Sequence, residues 1–268
     1  MHLLINGHNL FVLDGGRPQG TPVVFVHGFP FSHAMWKPQM EALGASYRTI
    51  AYDVQGHGLS DVGDGQYSIE SHVDDLFALM DALKLRKAVA VGLSMGGYIL
   101  LRALEREQDR FLAAALCDTR AEADSDEAKL RRFAGTVSVK KTGSALFADT
   151  FVKGVFAPAT PGVNPDAVAF IRTIIAHTPP LSIAGTLLAL ASRTDTTRML
   201  GSVRIPVLIL VGEQDVTTPP DASRLMAERI PGAELHIIPG AAHMSNLENP
   251  AAFNAHLLAF LRRVVPAA

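Results

Sequence analysis

Gly92-Leu93-Ser94-Met95-Gly96-Gly97 follows the short apolar run 88–91 and precedes a helical pattern over residues 95–106. A G-x-S-x-G sequence between a strand and a helix makes a sharp turn with its serine at the apex. Side chains two residues either side of that apex would collide, and Gly92 and Gly96 remove them. The Ser94 hydroxyl then stands at a helix N-terminus, where unpaired N–H groups and the helix dipole favour developing negative charge.

The run before this turn is one of several of the same kind. Residues 22–26 are Pro-Val-Val-Phe-Val and stop at His27-Gly28. Residues 48–52 stop at Asp53, 112–116 at Cys117-Asp118, 206–211 at Gly212, and 235–238 at Pro239-Gly240. Continuous apolar runs suit strands buried on both faces, as in parallel sheets. Between several of them the spacing turns helical. Ser68 is an N-cap before Ile69, Val73, Leu76, Phe77, Met80 and Leu83. Residues 221–230 are entered through Pro219-Pro220, and Asn249-Pro250 opens a last helix carrying Phe253, Leu257, Phe260 and Leu261. The first fourteen residues predict a hairpin turning at Asn6-Gly7. The alternation predicts an α/β protein with a mostly parallel central sheet flanked by helices.

From residue 119 to 203 the rhythm breaks. Helix-like stretches at 126–139, 143–151, 166–177 and 181–192 are punctuated by Pro158, Pro161, Pro165 and Pro179-Pro180, with no convincing strand. An insert of about 85 residues is too long for a loop. It predicts a helical cap inserted before the last two strands. The expected division is a core domain of residues 1–118 and 204–268 with a cap of residues 119–203.

Composition narrows the function classes. The 268 residues are 48% hydrophobic and 19% charged, which excludes a disordered chain. One cysteine, Cys117, excludes an internal disulfide framework and a cysteine-based zinc site. A net charge of −2 gives no pull toward nucleic acid or anionic lipid. The N-terminus lacks the basic and apolar regions of a signal peptide, and no run of about twenty apolar residues is free of breaks. A cytoplasmic location is the expectation. Nothing indicates a homo-oligomer. Metal-ligand spacing, a phosphate loop and a dinucleotide glycine fingerprint are all lacking, so neither metal nor cofactor is expected.

A serine hydroxyl is a weak nucleophile and needs a base, which in turn needs an orienting acid. His243, in Gly240-Ala241-Ala242-His243, follows the last expected strand. Two acids follow strands. Asp215 lies in Gly212-Glu213-Gln214-Asp215, with room for a turn before the next helix, and Asp118 follows the strand over 112–116. Asp215 is the favoured partner. Asp118 is followed at once by Thr119-Arg120, and the Arg120 guanidinium is expected to pair with it as a cap-hinge contact.

The order Ser94, Asp215, His243 after three different strands resembles the α/β-hydrolase superfamily, and the resemblance covers nearly the whole chain. His27-Gly28-Phe29-Pro30 is similar to that family's oxyanion loop, and Asp53-Val54-Gln55-Gly56-His57-Gly58-Leu59-Ser60 to its loop after the fourth strand, with Gln55 where an arginine is usual. The resemblance implies an α/β-hydrolase fold and backbone N–H donors at Phe29 and Met95. Pro30 has no N–H, which leaves Phe29 to donate on its side. Within the superfamily the chain looks most like small esterases, cofactor-free haloperoxidase or perhydrolase-type enzymes, and 3-oxoadipate enol-lactonase-like hydrolases. It implies a serine hydrolase that acts on a small-molecule ester or lactone through an acyl-enzyme. The alternatives are C–C bond hydrolysis of β-diketone-like substrates, a perhydrolase-type activity on the same triad, and a non-catalytic small-molecule receptor. Substrate signals are thin. The cap arginines Arg131, Arg132, Arg172 and Arg193 are expected to be solvated, and one facing inward would favour an acidic substrate.

Overall fold

The computed structural model describes residues 1–265. Strands β1 (His2–Ile5) and β2 (His8–Gly16) form the expected hairpin, with Asn6 and Gly7 at φ of 47° and 89° in its turn. There follow β3 (Pro22–Val26), a 3₁₀ turn (His33–Trp36), α1 (Lys37–Leu43), β4 (Arg48–Tyr52), α2 (Ile69–Ala82), β5 (Ala88–Leu93), α3 (Met95–Glu107) and β6 (Phe111–Cys117). Helices α4 (Asp126–Thr142), α5 (Ser144–Val155), α6 (Thr160–Val163), α7 (Pro165–His177) and α8 (Pro180–Ala191) come next. The chain then returns to the sheet through β7 (Val207–Gly212), α9 (Pro220–Arg229), β8 (Glu234–Ile238), α10 (Ser245–Glu248) and α11 (Pro250–Val264).

The sheet has eight strands in the order β1-β2-β4-β3-β5-β6-β7-β8. Its first two pairings are antiparallel and the rest parallel. Every residue of β5 and of β7 is buried, as uninterrupted apolar runs require. Each buried valine or isoleucine there contributes about 1.5–3 kcal/mol of transfer free energy. Phe25, Trp36 and Phe77 lie in the same core. The Ser68 and Ser71 side chains and backbones form a reciprocal cap on α2, and the Asn249 side chain accepts from the Ala252 N–H at the start of α11. Among the described residues no single helix is long and apolar enough to cross a membrane.

Helices α4 to α8 fill the stretch between β6 and β7, where sequence periodicity gave helices and no strand. The α4 helix runs on to Gly143, whose φ of 83° ends it. Two short helices, α1 and α10, leave no sequence signal, since helices of seven and four residues are too short to display a period.

Candidate active site

The parallel strands deliver their C-terminal ends to one edge of the sheet, the edge where sites form in open α/β folds. Ser94 sits between β5 and α3 with φ 54° and ψ −113°. A non-glycine residue in that conformation is strained and holds it only where its surroundings enforce it. The surroundings do so here. Its N–H donates to Cys117 O at 2.9 Å, and its carbonyl accepts from Thr119 Oγ1 at 2.9 Å. A Cβ on Gly92 would stand 2.5 Å from the Gly96 carbonyl carbon, and one on Gly96 would overlap Val26 O. Glycine is required at both positions for the turn to close.

His243, in the loop after β8, places Nε2 2.9 Å from Ser94 Oγ. Its Nδ1 lies 2.8 Å from Asp215 Oδ2, in the loop after β7. An ionised carboxylate only accepts, so Nδ1 carries the proton and Nε2 is left to accept from the serine. Asp215 is held in turn. Its Oδ1 takes the N–H groups of Thr217 (2.8 Å) and Thr218 (3.0 Å), and Oδ2 takes the Thr218 hydroxyl at 2.7 Å. Burial pushes the Asp215 carboxyl up, but His243 and the Thr218 donors outweigh it and hold it below the usual carboxylate range. All three side chains are nearly enclosed, at 8% exposure for Ser94, 3% for Asp215 and 2% for His243.

Two backbone donors in the loops at this sheet edge are without work. Met95 opens α3, and the first α3 N–H bonded to a carbonyl is that of Tyr98, to Ser94 O at 3.1 Å. Phe29 lies in the loop after β3, and its N–H has no partner among the described residues. His27 fixes that loop. Its Nε2 accepts from the Val54 N–H at 3.0 Å, which leaves Nδ1 to donate to Gly28 O at 2.8 Å. Burial holds the ring neutral. His57, behind it, is pushed down to about 3 by burial. Neither histidine bonds a side chain of Ser94, Asp215 or His243.

Two expectations need correction. Arg120 does not pair with Asp118; its Nε reaches Glu122 Oε2 at 3.4 Å. Asp118 instead turns inward at φ 43° and is fully buried against Gly212 and Ser245. Nor is Arg193 solvated. It is 7% exposed, bonds Asp124 and Glu122 O, and stacks its guanidinium 4.3 Å from the Tyr98 ring centroid. The Arg–Tyr face and the Asp124 charge outweigh the cost of burying it.

Helix α5 lies over the Phe29 loop, with Phe147 and Phe151 ring centroids 6.2 and 5.9 Å from that of Phe29. A cavity of about 420 Å³ beside it is bounded by Tyr98, Phe147, Phe151, Leu187 and Val216, with Arg120, Asp124, Arg131 and Arg132 at its polar side. Tyr98 is one turn beyond Ser94 on α3, and Val216 follows Asp215. Neither this cavity nor a larger groove of about 580 Å³, by Leu13, Lys37 and Phe170, is lined by Ser94, Asp215 or His243. Among the described residues no group of three or more His, Cys, Asp or Glu side chains is placed to hold a metal ion.

Residues 21–250 match the family model described as alpha/beta hydrolase fold. A thermophilic esterase from Thermogutta terrifontis superposes with a TM-score of 0.94 at 34% identity, covering 98% of each chain. The 3-oxoadipate enol-lactonase 1 of Acinetobacter baylyi is 29% identical over 259 residues, 96% of this chain and 95% of its own. A non-heme chloroperoxidase of Streptomyces lividans is 31% identical over 272 residues, 96% and 97% of the two chains.

Proposed function

The chain belongs to the alpha/beta hydrolase fold family, and from that membership we propose that it is a serine hydrolase cleaving small carboxylic esters or lactones through an acyl-enzyme. One observation carries the reading: His243 Nε2 stands 2.9 Å from Ser94 Oγ while its Nδ1 stands 2.8 Å from Asp215 Oδ2. His243 takes the Ser94 proton as Oγ attacks the carbonyl carbon. The N–H groups of Phe29 and Met95 receive the oxyanion, each worth about 3 kcal/mol in the transition state. His243 then protonates the leaving alkoxide, and Asp215 holds its tautomer and stabilises the imidazolium. Water repeats the sequence on the acyl-enzyme and frees the acid. In this reading residues 1–118 and 204–268, of which 266–268 lie outside the described residues, are the core domain and 119–203 the cap. The esterase and enol-lactonase likenesses support ester and lactone substrates over a receptor role.

A fluorophosphonate probe tests it directly. Labelling confined to Ser94, together with turnover of aryl esters or lactones, is the expected result. A wild-type chain that neither labels nor turns over aryl esters or lactones overturns the reading.

A second reading narrows the substrate to one carrying a carboxylate. Arg131 faces the cavity with no acidic partner within ion-pair distance among the described residues, whereas Arg132 is held by Asp124. An unpaired guanidinium on the rim favours an anionic lactone over a neutral ester.

A further inference from the structure

The residues that close β6 take no step in the proposed reaction, yet they bond Ser94 and neighbours of Asp215 and His243. Cys117 O accepts the Ser94 N–H at 2.9 Å, and Thr119 Oγ1 donates to Ser94 O at 2.9 Å. Between them Asp118 adopts φ 43°, in the left-handed region that a non-glycine residue enters only when held there. Its own N–H donates to Leu210 O at 2.8 Å on β7. Its side chain is completely buried. Oδ1 accepts the Gly212 N–H at 2.8 Å, and Oδ2 lies 2.5 Å from Ser245 Oγ. Gly212 ends β7, three residues before Asp215, and Ser245 opens α10, two residues beyond His243.

We propose that Asp118 is a positioning residue, one carboxyl that joins the loop carrying Asp215 to the loop carrying His243 and so sets the hydrogen bond between them. The proposal rests on the serine-hydrolase reading above. The clamp works by geometry and not by charge. Asp215 and Glu248 are the acidic groups facing Asp118, with the Cys117 thiol beside it, and His243 is reached only through Asp215 and Ser245. Burial, and then the Asp215 charge, push the Asp118 carboxyl well above its usual range against the bonds from Ser245 and Gly212. Of the two acids, Asp215 is the one bonded to His243, where the imidazolium forms. A carboxamide at position 118 keeps an oxygen for Gly212 and offers a donor to Ser245 Oγ, so asparagine preserves the clamp. Alanine removes it.

Asp118→Asn, Asp118→Ala and Ser245→Ala, assayed on the best ester across pH, decide the matter. Asp118→Ala is expected to lose on the order of 10²-fold in kcat with KM nearly unchanged, the scale of a misplaced catalytic group. Ser245→Ala is expected to lose roughly tenfold, the worth of one hydrogen bond. Asp118→Asn is expected to rescue kcat to within about threefold of wild type and to leave the acid limb of kcat/KM where it was. Wild-type turnover in Asp118→Ala overturns the clamp. So does an Asp118→Asn protein as poor as the alanine variant, or one whose acid limb moves to lower pH, since either outcome means a charge was at work. Should Asp118→Ala not fold, Ser245→Ala and Asp118→Asn carry the same decision. If the wild type itself shows no turnover or labelling, the serine-hydrolase reading falls, and the clamp is judged by the NMR signal of the His243 Nδ1 proton. That signal is expected to persist in Asp118→Asn and to exchange away in Ser245→Ala. Equal persistence in both variants overturns the clamp.

Discussion

His243 Nε2 and Ser94 Oγ stand 2.9 Å apart across 149 residues of sequence. Two different strand ends make that distance, and no local motif contains both groups. If the pair is the base and its nucleophile, Ser94→Ala removes the attacking atom and nothing else. Ester turnover should fall to the residue supplied by oxyanion donors and binding, on the order of 10³-fold above water. Because Ser94 already sits at φ 54°, alanine inherits the same strain and the fold is kept. Ser94→Gly should lose the same activity while unfolding at equal or higher denaturant, since glycine relieves backbone strain of about 1–3 kcal/mol at the cost of a looser unfolded chain. Urea midpoints for the three proteins check this, and a glycine variant less stable than alanine would contradict it.

Asp215→Asn tests the acid. The carboxamide fits the loop but can turn its donor toward His243 and reverse the tautomer, which in comparable triads costs on the order of 10⁴ in kcat. Folding should be little changed. The Asp215 carboxyl is held below its ordinary value, so its stabilising contribution is present above the usual carboxylate pKa, about 3.9, and is lost as pH falls through the lower folded value. The wild type should therefore lose more stability than Asp215→Asn between about pH 4 and more acidic solution. Parallel acid-unfolding curves would show that the Asp215 contacts are not holding its proton off.

Most of this arrangement was legible because its signals are local. Gly92-Leu93-Ser94-Met95-Gly96 encodes a turn by steric exclusion, and the apolar runs encode fully buried strands, so the sheet and the edge carrying Ser94, Asp215 and His243 followed. The partners of Asp118 and Arg193 were not legible, for a physical reason. Asp118 meets Gly212 and Ser245, residues 94 and 127 positions away, and only the packing of β6 beside β7 brings them within reach. Adjacent Arg120 was the nearer partner in sequence, but it points to Glu122. Arg193 reads as a surface cap residue until Tyr98 and Asp124 are placed around it.

Glu248 predicts a link between the helical insert and the loop that carries His243. Its Oε1 accepts the Ala157 N–H at 2.7 Å and the Thr160 hydroxyl at 2.5 Å, while Oε2 accepts the Ala242 N–H at 2.8 Å. One carboxylate thus ties the segment after α5 to the residue before His243. Glu248→Ala leaves three donors unpaired, and kcat/KM should drop roughly tenfold as both loops loosen. Amide exchange over residues 155–163 should quicken in the same variant. Faster exchange with unchanged kinetics would separate the insert from the catalytic geometry.

The cavity predicts how activity varies with substrate. Phe147, Phe151 and Leu187 make its apolar side, so each added acyl methylene should improve kcat/KM by up to about 0.8 kcal/mol until the space is full. A flat response from acetate to octanoate would mean the acyl group lies elsewhere. Arg131→Ala should leave neutral esters unaffected and cost carboxylated lactones about tenfold, the worth of one charge-assisted hydrogen bond.

Asp124 and Arg193 carry the last prediction. The Arg193 side chain is 2% exposed and that of Asp124 is 6% exposed, so the two form a buried pair that Arg132 joins from the more open side. Deleting one member of such a pair strands the other's charge, at about 3–5 kcal/mol. Arg193 keeps the carbonyls of Glu122 and Leu190 and the Tyr98 face, which puts Asp124→Ala at the lower end, about 3 kcal/mol. That is a fall of about 6–12 °C in Tm for a chain of this size. Arg132→Ala removes the half-open partner and should cost no more than about 1 kcal/mol. Burial opposes ionisation of Asp124, but Arg132 and then Arg193 overcome it and hold its carboxyl below the ordinary value. The contribution is therefore complete above about pH 4 and disappears as pH falls through the folded pKa, so the two variants should converge in Tm under acid conditions. Equal losses for Asp124→Ala and Arg132→Ala at neutral pH would show that the buried Arg193 charge is not what the pair relieves.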